Sequence, residues 1–300
     1  MSTATASISS PPTDALELQM TLAMALGKLP PLSPMMPRVL ALRGNEAAGI
    51  ADLAKVIASD PVLSARLIGM ANSARFASVH PMLNIQDALM RLGFDQACEL
   101  AISVAVSRSL PALGEFKPAR RDLWLHSLGI ALCAREFARH IKGDCDPDAA
   151  YLAGFLHDIG YLAIISLWPD MARKLIAHLT DPARWDDADF VSQYGWPSHG
   201  ALGGELCKLW RLPDDLCLAV WHHDGIGVDE TTLSPLDAAI ALAHRAADGV
   251  LPLDHDVLWR PALPLSTLLR VTGLAPAVVD LVREGLESQV EKMAAYAGAI

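Results

Sequence analysis

Aromatic residues are scarce in this chain, 6% of 300 residues, which argues against a sheet-built core, since sheets draw on aromatic and β-branched side chains. Ala and Leu are abundant instead, residues that favour closely packed helices. Cysteine is sparse too: Cys98, Cys133, Cys145, Cys207 and Cys217 are odd in number, scattered and form no CxxC pair. That pattern argues against a disulfide framework and a thiolate zinc site, and leaves reduced, mostly buried thiols. Positive charge is in deficit, with 24 Lys and Arg against 34 Asp and Glu and a formal net charge of −10. Long-range repulsion then disfavours non-specific binding to nucleic acid or to an anionic membrane. Mean hydropathy is +0.29, yet no run of about 18 apolar residues escapes interruption by a charge, Pro or Gly, so no membrane span is expected. Residues 1–13 lack the basic and apolar regions of a secretory signal and read as a loose Ser/Thr/Ala/Pro tail. Beyond that tail there is no low-complexity block and no repeat of fixed period. What remains is an all-α, cytoplasmic chain, 52% hydrophobic, with material for a sizeable core.

Helical periodicity runs from Asp14 to Gly27 and stops at Leu29-Pro30-Pro31-Leu32, because Pro lacks the donor and clashes with the preceding turn. Further helices are predicted at Met35 to Leu42, Ile50 to Ile57, Val62 to Ala74, Ile85 to Leu92 and Gln96 to Ser109. The second half predicts helices at Pro118 to Ile141, Pro147 to Leu167, Pro169 to Leu179, Asp187 to Tyr194, Pro197 to Trp210, Pro213 to His222 and Leu233 to Ala247. A Pro-rich connector, Leu251 to Pro264, leads to an amphipathic run, Val278 to Met293. Several of these segments begin at Pro, which is preorganised for a first helical turn. Leu110 to Gly114 marks the clearest boundary. The expected organisation is a tail at 1–13, an N-terminal helical part at 14–115, a second helical part at 116–250 and a C-terminal extension at 251–300.

Residues that carry chemistry gather in the second half. His157-Asp158 sits among apolar and small residues, where a carboxylate must be paired, ligated or neutral. Asp122 and His126, four apart, share one face of a helix. His199 falls in the first turn after Pro197, and His222-His223 at a helix end. Imidazoles with a carboxylate between them form a set suited to transition metals. Taken singly, each is matched by a duller explanation: a surface or satisfied core histidine, or a helix end favoured by the dipole. His80, His140, His178 and His255 receive that duller explanation outright.

The order of these residues and the words around them resemble the HDOD family, a bacterial branch of the HD metal-dependent phosphohydrolase superfamily. In the first half the resemblance lies in Leu29 to Pro34, Ile57 to Leu67, Ala71-Asn72-Ser73-Ala74 and Ile85 to Gly93. In the second half it lies in Trp124 to Ser127, Ala153 to Gly160, Ser198 to Gly203, Trp210 to Pro213 and Trp221-His222-His223. The resemblance implies a multi-helix HD-like bundle with an additional N-terminal helical subdomain. It also implies a mono- or binuclear pocket for a divalent transition metal such as Fe or Mn. In that pocket Asp158 would bridge, His126 and His157 would serve one ion, and His199, His222 and His223 the other. Asp122 would be an accessory ligand.

Two departures bear on activity. The superfamily's closing Asp is replaced by His244, which could stand in as a ligand for some ions. The Lys that follows His-Asp-x-Gly in cyclic-dinucleotide-cleaving relatives is here Tyr161, which cannot neutralise phosphate charge. Two functions therefore stand open. One is a non-catalytic signalling module whose partner is a response regulator or a protein of the cyclic-di-GMP pathway. The other is a metal-dependent phosphohydrolase acting on nucleotides or cyclic dinucleotides, with Asp158 in the catalytic centre. Binding of DNA by the N-terminal half is disfavoured by the acidic balance and by the lack of a basic stripe.

Overall fold

The computed structural model describes residues 22–45, 47–72, 81–110, 114–143, 145–179, 196–223, 232–251 and 263–297. The tail at 1–13, the predicted helix at Asp187 to Tyr194, most of the connector at Leu251 to Pro264, and His80 and His255 lie outside these. The described residues form helices and turns, with no strand among them. They fall into two compact units, one formed by residues 30–111 with 291–300, the other by residues 1–29 with 112–290.

The smaller unit carries α1 (Met35–Arg43), α2 (Ile50–Ala58), α3 (Pro61–Ala71), α4 (Ile85–Leu92) and α5 (Phe94–Ser109). Its boundaries follow from side-chain chemistry. The Asp60 carboxylate accepts from the Val62 and Leu63 amides, both at 3.0 Å, satisfying donors that the first turn of α3 leaves open, and Pro61 occupies its start. Asn84 caps α4 in the same way, accepting from the Asp87 amide at 2.9 Å. Apolar side chains recurring at helical spacing, among them Val39, Leu53, Ile57, Leu67, Leu89 and Ile102, close the core. An Arg43–Glu99 ion pair at 3.2 Å is buried beside it.

The larger unit is built on α6 (Lys117–His140), followed by α7 (Pro147–Leu156), α8 (Ile159–Leu167), α9 (Pro169–Leu179), α10 (His199–Leu209), α11 (Asp214–His222) and α12 (Pro235–Ala247). The central helix α6 packs against α7 and α12, and α10 lies against both α8 and α11. Small residues permit these approaches. A Cβ on Gly154 would lie 3.0 Å from the Ala131 backbone, so α7 touches α6 nearly main chain to main chain. At Gly160 the demand is stricter, since a Cβ would lie 1.9 Å from the His199 carbonyl oxygen. Only glycine lets the start of α8 meet the start of α10.

The stretch from Pro147 to Leu167, read from the sequence as one helix, is two. Asp158, at φ −96° and ψ 13°, leaves helical geometry and separates α7 from α8. The cause is visible in its surroundings: the carboxylate is drawn toward four imidazoles, and Gly160 brings the next turn onto α10. By length and composition the 21-residue stretch could cross a membrane, with a hydropathy of 1.4, but 89% of its apolar window is buried inside the protein, as in a core helix. The C-terminal run is also divided, into α13 (Leu265–Thr272), α14 (Pro276–Glu287) and α15 (Val290–Ala297). Val278 to Met293 is thus interrupted after Glu287, where Ser288 caps α14. Both α13 and α14 pack on α12, and α14 also on α6. Arg283 donates to the Arg245 and Asp248 carbonyls, at 3.0 and 2.8 Å, satisfying acceptors at the end of α12.

Candidate metal centre

Five different helix environments deliver the cluster. His126 lies within α6, His244 within α12, His199 opens α10, and His223 stands just beyond α11. His157 and Asp158 occupy the break between α7 and α8, where the chain can point two adjacent side chains into one cavity. Ser198 fixes the start of α10 by accepting from the Ala201 amide at 3.1 Å. Tyr161 lies flat on the His199 ring, with centroids 4.0 Å apart and planes within 8°. His126, His157, Asp158, His199, His223 and His244 are all buried.

The two oxygens of Asp158 face two different groups. Oδ2 is 3.0 Å from His157 Nε2 and 3.5 Å from His126 Nε2, which are 3.3 Å from each other. Oδ1 is 3.2 Å from His199 Nε2 and 3.3 Å from His223 Nε2, which are 2.9 Å apart. His244 lies beside the first group, its ring tilted against that of His126 with centroids 5.1 Å apart and edge-on to that of His157 at 4.8 Å. One donor atom from each of His126, His157 and His244 lies within 4.8 Å of the others.

Hydrogen bonding fixes the tautomers of two rings. The Nδ1 atoms of His157 and His223 lie 2.7 Å from the Gly154 and Val220 carbonyl oxygens. A carbonyl has no proton to give, so each Nδ1–H donates, and in the neutral ring each Nε2 turns a bare lone pair into the cluster. For His157 that lone pair faces a carboxylate oxygen at 3.0 Å, an arrangement that repels unless a cation lies between them.

A proton on Nε2 or a metal ion can supply that cation. Burial pushes His126 down to about 4, an effect that Asp158 opposes and the neighbouring imidazoles reinforce. Burial likewise lowers His223, and drives His244 well below the ordinary imidazole range with help from His157 and His126. Burial alone would raise Asp158, but the surrounding imidazoles, His157 foremost, outweigh it and hold the carboxyl well below its usual range. An anionic carboxylate among clustered imidazoles is a metal-ligand set.

The spacing fits as well. A tetrahedral ion with bonds of about 2.0–2.1 Å separates its ligands by about 3.3–3.4 Å, close to the 3.0, 3.3 and 3.5 Å edges of the group around Oδ2.

The Asp122 carboxylate, buried one turn before His126, is 3.1 Å from Arg121 Nη1. His222, the last residue of α11, is half-buried, whereas His223 beside it is buried and 3.3 Å from Asp158 Oδ1. Among the histidines given the duller explanation, His140 lies on the surface 3.4 Å from Glu136, and His178 is buried in α9. The flat Tyr161–His199 stack and the close approach at Gly160 were not read from the sequence. Gly160 after the His-Asp pair was the one available signal for the latter.

An all-helical bundle with an adjacent His-Asp pair at a helix break defines an HD-like protein. More narrowly, the chain belongs to the HDOD domain family, whose model matches residues 29–226. A protein of Treponema pallidum (strain Nichols) described only as uncharacterized is 25% identical over 249 residues, which make up 81% of this chain. The match takes in 47% of that protein, so the chain spans about half the length of this curated relative. A solved structure of a candidate signal transduction protein from Marinobacter aquaeolei VT8 is similar with TM-score 0.71 and 23% identity, over 97% of this chain and 67% of that one. A candidate phosphohydrolase from Shewanella amazonensis SB2B is similar with TM-score 0.63 and 24% identity, over 93% of this chain and 97% of the other. These likenesses show a shared helical fold.

Proposed function

We propose that this chain is a non-catalytic regulatory HDOD module of bacterial signal transduction, whose His/Asp pocket holds a divalent transition metal as a structural element. One observation carries the reading: among the described residues, one carboxylate, Asp158, faces two groups of imidazoles. A carboxylate ringed by imidazoles supports metal binding. It also has little negative charge with which to hold several ions, and Tyr161 stands where a phosphate-neutralising Lys would serve catalysis.

A bound divalent ion supplies Lewis acidity and a cross-link among its ligands. His157 and His223 present preset tautomers, Asp158 holds four helix environments together, and Tyr161 keeps the His199 ring in one plane. The signalling role is supported by family membership and by likeness to the Marinobacter protein. A response regulator or a protein of the cyclic-di-GMP pathway is the kind of partner that fits. Residence in the bacterial cytosol is supported by five cysteines that are all buried and joined by no disulfide.

The test is metal content together with a nucleotide and cyclic-dinucleotide hydrolysis panel on wild type and Asp158→Ala. Bound transition metal without turnover is expected. Turnover that collapses in Asp158→Ala or His157→Ala would refute the non-catalytic role and favour a second reading, a metal-dependent phosphohydrolase. That reading draws on likeness to the Shewanella protein and on the three-donor group of His199, His223 and Asp158 Oδ1.

A further inference from the structure

The hairpin of α10 and α11 carries an apolar face open to solvent. On α11, Leu218 is 49% exposed, and Trp221, one turn further on, is half-buried. Trp221 leans on α10: a Cβ on Gly204 would lie 2.9 Å from its ring, and the Lys208 ammonium is 4.8 Å from the ring centroid. The Cys217 thiol, raised chiefly by burial, also senses Asp214, Lys208 and Glu205, which puts these three charges around the same stretch of the hairpin. An aromatic and an aliphatic side chain bordered by charges have the make-up of a protein interface.

The turn of the hairpin adds a second observation. Among the described residues, Arg211 is the one non-glycine residue with a positive φ, 59°. Its amide donates to the Lys208 carbonyl at 2.9 Å, and the Leu212 amide to the Cys207 carbonyl at 3.1 Å. In such a helix ending glycine fills the left-handed position with least strain. An arginine held there in spite of the strain points to a use for its side chain. Its charge is exposed and enters no ion pair among the described residues, whereas Lys208 is paired with Glu205 at 3.0 Å. Asp214 and Asp215, exposed in the first turn of α11, are likewise outside any ion pair among the described residues.

Charge selects the occupant. The end of α10 carries Lys208 and Arg211, and the start of α11, beside it at the same end of the hairpin, carries Asp214 and Asp215. A partner of one charge sign is repelled by half of this end, while a second copy of the chain matches both halves. A two-fold axis along the hairpin lays α10 of each copy antiparallel on α11 of the other, tip beside tip. Arg211 of one copy then meets Asp214 and Asp215 of the other, and symmetry repeats the contact. Leu218 and Trp221 of both copies fill the centre of the resulting four-helix bundle. On this face Glu205, Asp214 and Asp215 nearly cancel Lys208 and Arg211, so two copies approach here with little of the repulsion that a net charge of −10 imposes elsewhere.

We propose that the outer face of α10 and α11 is a self-association surface, on which a second copy of this chain docks through Leu218, Trp221 and reciprocal pairing of Arg211 with Asp214 and Asp215. Helices of 11 and 9 residues are about 16 and 14 Å long, so the contact lies at the small, weak end of protein interfaces. Association then depends on local concentration. The proposal does not require an ion in the pocket.

Sedimentation velocity on the full chain, from about 1 μM to about 1 mM, tests it. A reversible monomer–dimer equilibrium is expected, the dimer fraction rising with concentration. Leu218→Glu should weaken the dimer by about tenfold or more, as a charge forced into the centre of an interface does. Arg211→Glu alone, and Asp214→Lys with Asp215→Lys, should each abolish self-association through like-charge contacts. Mixed together, these two variants should recover a heterodimer, since every reversed charge then meets its opposite. Thermal melts by circular dichroism verify that each variant is folded, and the mixing experiment stands on the charge variants even where Leu218→Glu is not. A wild type that stays monomeric at every concentration would overturn the proposal and leave the face to a different protein. A dimer indifferent to Leu218→Glu, or charge variants that fail to associate when mixed, would overturn it as well.

Discussion

Gly160→Ala puts a single methyl group where the start of α8 meets the start of α10. The added Cβ would lie 1.9 Å from the His199 carbonyl oxygen, 2.7 Å from its carbonyl carbon and 3.0 Å from the Gly203 nitrogen. All three are backbone atoms, so no rotamer change relieves the overlap, and the helices must part by roughly 1 Å or more. Overpacking usually costs roughly 1–3 kcal/mol, and a clash confined to main chain belongs at the upper end, about 3 kcal/mol. In a unit of this size that lowers Tm by roughly 6–12 °C. Gly285→Ala is the matched control: its Cβ would meet nothing within 4 Å on α14, so a stabilisation of about 0.5–1 kcal/mol is expected from the lost backbone freedom. Thermal melts followed by circular dichroism on both variants, with and without chelator, measure the difference. A Gly160→Ala chain that melts with the wild type would refute the claim that α8 and α10 meet through this glycine.

Other outcomes follow from the same geometry. In chelator-stripped protein, His126 titrates near 4 when folded and near 6.5 when unfolded. The unfolded state therefore takes up the proton first as pH falls, and stability drops between about pH 6.5 and pH 4. His223 and His244 shift in the same direction. Urea unfolding at pH 7 and pH 4.5 should differ by about 2–3 kcal/mol for His126 alone, and equal midpoints would contradict its burial as a neutral ring. His222→Ala should leave metal content unchanged and stability within about 0.5 kcal/mol, whereas His126→Ala should lose the ion. Chelation of metal-loaded protein should lower Tm, because an ion bound only by the folded state stabilises it. Asp60→Ala should cost about 1 kcal/mol by freeing the Val62 and Leu63 amides, with metal affinity untouched.

Helix existence was legible where apolar periodicity met a proline, as at Pro61 and Pro147. The break at His157-Asp158 was not, because Ile, Leu and Ala on both sides carry helical periodicity straight through it. Only the three-dimensional gathering of imidazoles around Asp158 interrupts the backbone there. The candidate ligands could be named from residue type and resemblance, since a His-Asp pair in apolar surroundings needs partners. Which of two adjacent histidines faces the pocket could not, as His222 and His223 are chemically identical and differ only in the phase of α11. The division of one carboxylate between two groups is likewise a property of side-chain direction, invisible to spacing.

The most direct measurement is anomalous diffraction at the absorption edge of the metal, on crystals of the chain grown with zinc. A peak is expected inside the cluster, bonded to Asp158 and to imidazoles of the groups around it, His157 among them. Absence of a peak, with the clustered imidazoles hydrogen-bonded to protein or water, would contradict the metal-holding pocket on which the proposed function depends.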